Sequence, residues 1–454
     1  MNEPVIIYTE SFSPRLSYTV EVLLGSLLGL PYQLTTDINY FKNSASPKIN
    51  YSKVAVDNVL QIIPAGILSE SGIRSFDIRY AKWNNYHTLF FSGTTGFPFD
   101  IFSASFYLLT RYEEYLPFKP DEHGRFNSDQ SVAGKNGFLE EPVVQQWANL
   151  LLKTLQEKYT WIVPRRQKFT METSIDVDVA YAFLYRNFRR FLLASGRDLV
   201  SFKWNYFVDR ILVSLKSKTD PFDTYKYLEL VHRKYDLPVY VFYLAGDYSH
   251  YDRNIPFEEP AIQSLIKRLN DKFFLGIHPS YRAFQNFGVL KGEVERLSKT
   301  CETQITRSRQ HFLRLVFPKT YQWLMKLGIT HDFSMGYHDK PGFRAGIAAP
   351  YLYYDIQTET KTNLTIHPFV FMERTLRDRL KMNPDFALLK IQELMKKVDA
   401  VNGTFGSLWH NDSLSDYGEW KRWRYVYEVM LSMGYTMNRS KREKTKRVVQ
   451  YDQP

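Results

Sequence analysis

Between residues 169 and 433 short apolar runs alternate with longer amphipathic ones, and this alternation constrains the fold more than any other feature of the chain. Strand patterns fall at 169–176, 238–244, 273–277, 364–371 and 404–409, and helical patterns at 221–235, 259–270, 292–310, 318–327, 384–401 and 417–433. Such alternation predicts βα units around a parallel sheet, open or closed, with functional groups gathered at the carboxyl ends of the strands. A chain of 454 residues has room for such a unit and a second, smaller one. The basic, proline-bearing stretch 163–168 marks the boundary. The expected organisation is therefore an amino-terminal mixed α/β domain over 1–165, the main α/β domain over 166–437 and a basic tail over 438–454, expected to be disordered.

The amino-terminal part carries helical patterns at 99–116 and 142–158. In the first, Arg111-Tyr112-Glu113-Glu114-Tyr115 is expected to be an exposed turn with neighbouring opposite charges. The single cysteine, Cys301, excludes an internal disulfide and lies on an apolar helical face with Val294, Leu297 and Ile305, which predicts a buried thiol. The 32 tyrosines and 33 phenylalanines suit a sugar site or simply a well-filled core. No signal peptide or membrane span is expected, and with them absent a cytoplasmic location is the expectation. The net charge of +11 draws on the tail and on 186–218, where arginines and lysines alternate with large apolar residues. That stretch suits packed helices with a solvated basic face, or peripheral contact with an anionic membrane at its inner face. No nucleic-acid motif accompanies the charge, so nucleic acid is not expected as a partner.

Candidate chemistry starts at Thr173-Ser174-Ile175-Asp176-Val177-Asp178. In an extended chain residues i and i+2 share a side, so Asp176 and Asp178 present both carboxylates at one strand mouth. A solvated strand end would also place aspartates there. Further polar residues follow other strand patterns: His278 after 273–277 and His410 after 404–409.

In this order the residues resemble the polysaccharide deacetylases of the NodB-homology type, over roughly 169–435. The resemblance implies a distorted (β/α) barrel and a metal-dependent hydrolase that removes N- or O-acetyl groups from glycans, most simply N-acetyl groups of a cell-envelope glycan or its precursor. Asp176 matches the base of the family's first motif and Asp178 a metal ligand. Gly276-Ile277-His278-Pro279-Ser280-Tyr281-Arg282 is similar to the second motif, with His278 as ligand and Tyr281 beside the substrate. The family's second ligand histidine would stand where this chain has Arg282, and a guanidinium cannot ligate a metal. Three explanations stay open: another histidine substitutes, with His311 the foremost candidate; water completes the site; or the protein is an inactive glycan-binding or scaffold relative.

Arg309 matches the arginine that contacts the base, and Arg344 is a rival that would line the substrate pocket. Gly406-Ser407-Leu408-Trp409-His410 resembles the last motif, with His410 as general acid and Trp409 beside the sugar. His331, His338 and His367 are further histidines that fit either ligation or packing. Gly96-Phe97-Pro98-Phe99-Asp100 and the 109–115 segment resemble a domain that accompanies bacterial members. An aspartate and imidazole ligand set suits zinc, with cobalt, nickel and manganese remaining open.

Overall fold

The computed structural model describes residues 3–93, 96–165, 167–185, 192–193, 196, 198, 200–202 and 204–451, with side chains described through residue 438. Strands β1 (Val5–Thr9), β2 (Tyr32–Thr35), β3 (Lys48–Tyr51) and β4 (Leu60–Ile62) form a parallel sheet in the order β2-β1-β3-β4. A hairpin follows, β5 (Ala81–Trp83) and β6 (Tyr86–Thr88), joined by Asn84 and Asn85, both at positive φ as a two-residue turn of this twist requires.

The second sheet holds β7 (Thr170–Val177), β8 (Val239–Leu244), β9 (Phe274–His278), β10 (Arg307–Ser308), β11 (His331–Asp332), β12 (Tyr351–Asp355), β13 (Thr360–Ile366), β14 (Phe371–Met372) and β15 (Thr404–His410). Its order is β12-β13-β11-β10-β9-β8-β7-β15-β14, and every neighbouring pair is parallel except β12 with β13. The alternation allows an open or a closed sheet; among the described residues the nine-stranded order ends in β12 and β14, which do not pair with one another. One backbone hydrogen bond, from Phe369 N just before β14 to Met335 O just after β11, draws the flanks together at 3.1 Å.

Helices Tyr225–Tyr235, Pro260–Lys272, Lys319–Lys326 and Pro384–Ala400 lie where periodicity places them. Three expectations change. The helix expected over 292–310 runs Phe287–Cys301 and stops where Glu302 turns left-handed at φ 53, which frees Arg307 and Ser308 to enter the sheet. The strand expected over 364–371 divides into β13 and β14 around Pro368, which has no N–H for a ladder. The last helix begins at Trp423 rather than 417 and extends to Tyr451, into the basic tail.

Side-chain alternation explains how the second sheet positions chemistry. On β7, Ile175 and Val177 enter the apolar core, while Ser174 and Asp176 point to the opposite side. On β15, Phe405 and Trp409 pack among Phe371, Trp423 and Tyr427, and Leu408 and His410 face the cavity described below. Gly406 permits the close approach of the β14 segment: a Cβ there would stand 2.1 Å from Pro368 O.

The Arg111 to Tyr115 turn is not exposed. The Arg111 side chain is 1 % exposed, its Nε and Nη2 bond Glu114 and Glu113 at 2.8 Å, and Glu114 in turn holds Arg344. The ion pairs cross from the amino-terminal part to the second sheet's connections, so tertiary packing covers a segment whose sequence reads as surface. Cys301 is buried, and desolvation pushes its thiol up to about 11. Much of the basic 186–218 stretch, including Arg189, Arg190, Arg197 and Lys203, lies outside the described residues. Among the described residues no helix is long and apolar enough to cross a membrane.

Candidate metal and catalytic site

Six ionisable residues meet at the carboxyl ends of the parallel strands. Asp176 is next to last on β7 and Asp178 follows the strand; His278 ends β9; His311 comes three residues after β10; Glu373 follows β14; His410 ends β15. A cavity of about 400 Å³ opens above them, walled by Asp176, Asp178, His278, His311, Leu408 and His410 on the strand side. Phe312, Leu313, His338 and Arg374 contribute further wall, and so does Arg125 from the amino-terminal part.

Asp178, His278 and His311 bring one ligating atom each within 4.8 Å of the others. Asp178 Oδ1 lies 3.2 Å from His278 Nε2 and 3.8 Å from His311 Nε2. Ligand atoms bound tetrahedrally at about 2.1 Å stand about 3.4 Å apart, so these separations bracket what a zinc-like ion needs.

Both imidazoles are fixed from behind. His278 Nδ1 donates to Arg309 O at 2.6 Å, and His311 Nδ1 donates to Asp252 Oδ1 at 2.9 Å. Carbonyl and carboxylate oxygens only accept, so each ring carries a proton on Nδ1 and points Nε2 at Asp178, the nitrogen that would ligate a cation in exchange for its own proton. Asp178 Oδ1 is buried without a hydrogen-bond partner, although the Asp178 side chain as a whole is 27 % exposed on the cavity side. An orphaned carboxylate oxygen facing two oriented imidazole nitrogens fits a divalent cation. Burial would raise the Asp178 carboxyl, but the imidazoles of His311, His278 and His410 outweigh it and hold it well below the usual carboxylate range.

Asp176 stands beside this cluster, with Oδ2 3.7 Å from His278 Nε2 and 3.8 Å from Arg309 Nη1. Its Oδ1 is buried and unpartnered. Arg309 is fully buried, anchored by an Nη2 bond to Ser174 Oγ at 2.7 Å, and stacked within 5 Å of the Phe369 ring. His410 faces the cluster from β15, its Nε2 3.7 Å from Asp178 Oδ2. Its Nδ1 donates to Glu373 Oε1 at 2.8 Å, and the same oxygen accepts the His410 backbone N–H at 3.1 Å. Burial alone would lower the His410 imidazole; the Glu373 carboxylate reverses this and holds it at about 9.

The structure thus gathers Asp176, Asp178, His278, His311, Arg309 and His410 in one place. It does not bring the other three sequence candidates into the cavity. Arg344 is buried and forked onto Glu114, with Nε to Oε1 at 2.9 Å and Nη2 to Oε2 at 2.5 Å, so its donors are used in a structural ion pair. Trp409 is fully buried on the opposite face of β15 from His410, because neighbouring strand residues alternate. Tyr281 stands behind the wall, stacked on Tyr251 at 4.2 Å and on the Arg314 guanidinium at 3.9 Å. Arg282, at the position of the missing histidine, is exposed and outside the cavity wall. His331 and His367 bond one another at 3.0 Å and His367 bonds Glu172, away from the cavity wall. His338 lines the cavity outside the cluster.

Sequence reasoning missed Asp252 and Glu373. Glu373 had a usable signal, since it follows an apolar pair at a strand end; Asp252 lies in a long connection after β8 with no periodicity around it.

A family model matches residues 5–160 and is described as a family of unknown function, DUF7033. No curated protein matches the chain. Among solved structures, a "putative polysaccharide deacetylase from Mycobacterium smegmatis" is similar at 11 % identity and a TM-score of 0.39, over 60 % of this chain and 85 % of that one. A BA3943 mutant, described as a CE4 family pseudoenzyme with restored enzymatic activity, is similar at 11 % identity and a TM-score of 0.25, over 59 % of this chain and 62 % of that one. Both scores lie below 0.5, so the functional reading rests on the site's own geometry.

Proposed function

We propose that this protein is a metal-dependent hydrolase that removes acetyl groups, N-acetyl groups in the first place, from a glycan. The observation that carries the proposal is the convergence of an oriented Asp–His–His set, a free carboxylate and a carboxylate-held imidazolium on one cavity. Asp178, His278 and His311 would hold the cation. When bound, such a cation supplies a lower pKa for water and polarisation of a carbonyl.

The rest falls to the chain's own side chains. Asp176 Oδ1 accepts the proton of the attacking water, as the unpartnered oxygen of a carboxylate held in place by Arg309. Water adds to the acetyl carbon, the carbon–nitrogen bond breaks, and the sugar amine leaves with a proton. His410 donates that proton from Nε2, and Glu373 keeps the imidazole charged at neutral pH. The apolar wall of Phe312, Leu313, Met372 and Leu408 limits water around the reacting group. His311, within 4.8 Å of the Asp178 and His278 ligand atoms, favours this reading over an inactive scaffold.

The test is acetate release from N- and O-acetylated oligosaccharides by metal-replete protein, beside its Asp176→Asn variant. Release by the parent alone, with equal metal content in both, is expected. Protein that binds one metal per chain and releases no acetate from any substrate of the panel would refute the enzymatic reading.

A further inference from the structure

The cavity wall carries more cationic groups than deacetylation requires. Beyond the metal and acid–base cluster it includes Arg125, His338, Arg374, Asp378 and Arg379. Most of these charges are matched. Arg125 bonds Asp121 through Nε at 2.8 Å and Phe312 O through Nη1 at 3.0 Å. Arg374 forks onto Asp412 at 2.8 and 2.7 Å, and Asp378 pairs with Arg377 at 2.6 Å. His338 Nε2 lies 3.4 Å from Asp121 Oδ2. The exposed Arg379 differs: its guanidinium makes no ion pair or hydrogen bond among the described residues.

Arg379 is nonetheless crowded by like charge. Burial lowers the proton affinity of both Arg125 and His338; Asp121 and Asp339 oppose it, Arg379 adds to it at both, and His338 is held near 4 and so is neutral at pH 7. An exposed, unmatched guanidinium on the same cavity wall as a buried, ion-paired one is an arrangement that an arriving anion relieves.

The chain segment adds a geometric reason. Arg379 ends a single wide helical turn, Thr375–Arg379, closed by Leu380 N to Thr375 O at 3.0 Å. Wide turns of this kind are rare and cluster at functional sites. Glu373, which holds the general acid, and Arg374 lie just before the same turn, so one short segment fixes the spacing between proton donor and guanidinium.

We infer that the substrate carries an anionic group, carboxylate or phosphate, close to its acetylated sugar, and that Arg379 receives it, with Arg125 adding positive charge to the same wall. This rests on the deacetylase reading for the acetyl group, while the anion site stands on the cations alone. It also gives the amino-terminal part a role in recognition, since Arg125 comes from there.

Calorimetry of the full-length, metal-replete protein tests it with three probes: N-acetylglucosamine, N-acetylmuramic acid, which adds a carboxylate, and N-acetylglucosamine 1-phosphate. One or both anionic sugars should bind about ten-fold more tightly than the neutral one, the gain expected of a charge-assisted contact. The tighter of the two identifies the anion. Raising the salt should shrink the preference, and Arg379→Glu should abolish it; Arg379→Gln provides a milder variant of the same exposed side chain. Equal affinity for all three, including no detectable binding of any, overturns the inference, as does a preference that survives R379E. Acetate release is read separately. Deacetylation without anion preference sinks this inference and leaves the deacetylase standing, whereas anion preference without acetate from any probe does the reverse.

Discussion

Asp252 offers a sharp test of the metal site, because it touches no proposed ligand position except through His311. Its Oδ1 accepts the His311 Nδ1 proton at 2.9 Å and the Tyr281 backbone N–H at 2.8 Å, while Oδ2 accepts from Ser249 Oγ at 2.7 Å. Replacing Asp252 by Asn keeps one oxygen for His311 Nδ1 and the Tyr281 N–H, removes the charge, and turns the group facing Ser249 Oγ from an acceptor into a donor. A hydrogen bond to a charged group contributes about 1.5–3 kcal/mol and a neutral one about 0.5–1.5, so the difference is about 1–1.5 kcal/mol, or about five- to ten-fold in metal affinity. Asp252→Ala also frees the His311 ring to rotate and belongs at the hundred-fold end of the range for such supporting groups. Affinity is read by competition with a chromophoric chelator at fixed pH, which needs no substrate. His311→Ala serves as the reference for loss of the ligand itself. The graded order parent, Asp252→Asn, Asp252→Ala, His311→Ala is expected. Asp252 variants that bind metal like the parent, while His278→Ala does not, would show that His311 is not a ligand and that the site lacks its third arm.

Two more outcomes follow from buried charge. Glu373 holds His410 at about 9, so the protonated acid is present below that pH and is lost as pH rises through it. In Glu373→Gln burial and Arg374 are opposed by Asp178 alone, the imidazole falls toward its ordinary value of about 6.5, and the protonated fraction at pH 7.5 drops to the order of a tenth. The alkaline limb of the acetate-release profile should move down by about two units or more, and an unmoved limb removes His410 from the role of acid. Arg344→Ala leaves the buried Glu114 with Arg111 as its remaining cation, which should cost about 3–5 kcal/mol of stability in urea unfolding. A loss under about 1 kcal/mol would mean that water reaches Glu114 and that the buried ion-pair account is mistaken.

The sheet was legible where strands are long. β7, β8, β9 and β15 have four or more consecutive residues whose period and bulk carry the signal, and their boundaries fall within a residue or two of expectation. Two-residue strands such as β10, β11 and β14 have no period to read; they exist because neighbouring strands offer them hydrogen bonds. The same contrast holds at the site. Asp176, Asp178, His278 and His410 sit at or just past long strands, where a local pattern predicts which way a side chain faces. His311 follows β10 through a loop in which Phe312 and Leu313 both take positive φ, so its direction depends on the path of the turn.

By itself the sequence determined the βα order, the strand ends that carry the carboxylates and histidines, and the burial of Cys301. These depend on local periodicity and on which side of a strand a residue occupies. Tertiary structure alone decided that His311, not residue 282, stands within reach of Asp178 and His278, that Arg344 and Trp409 face away from the cavity, and that Arg111 and Glu114 are buried. Each of these depends on what a distant segment brings within hydrogen-bonding reach: Asp252 behind His311, Glu114 against Arg344, Tyr427 against Trp409.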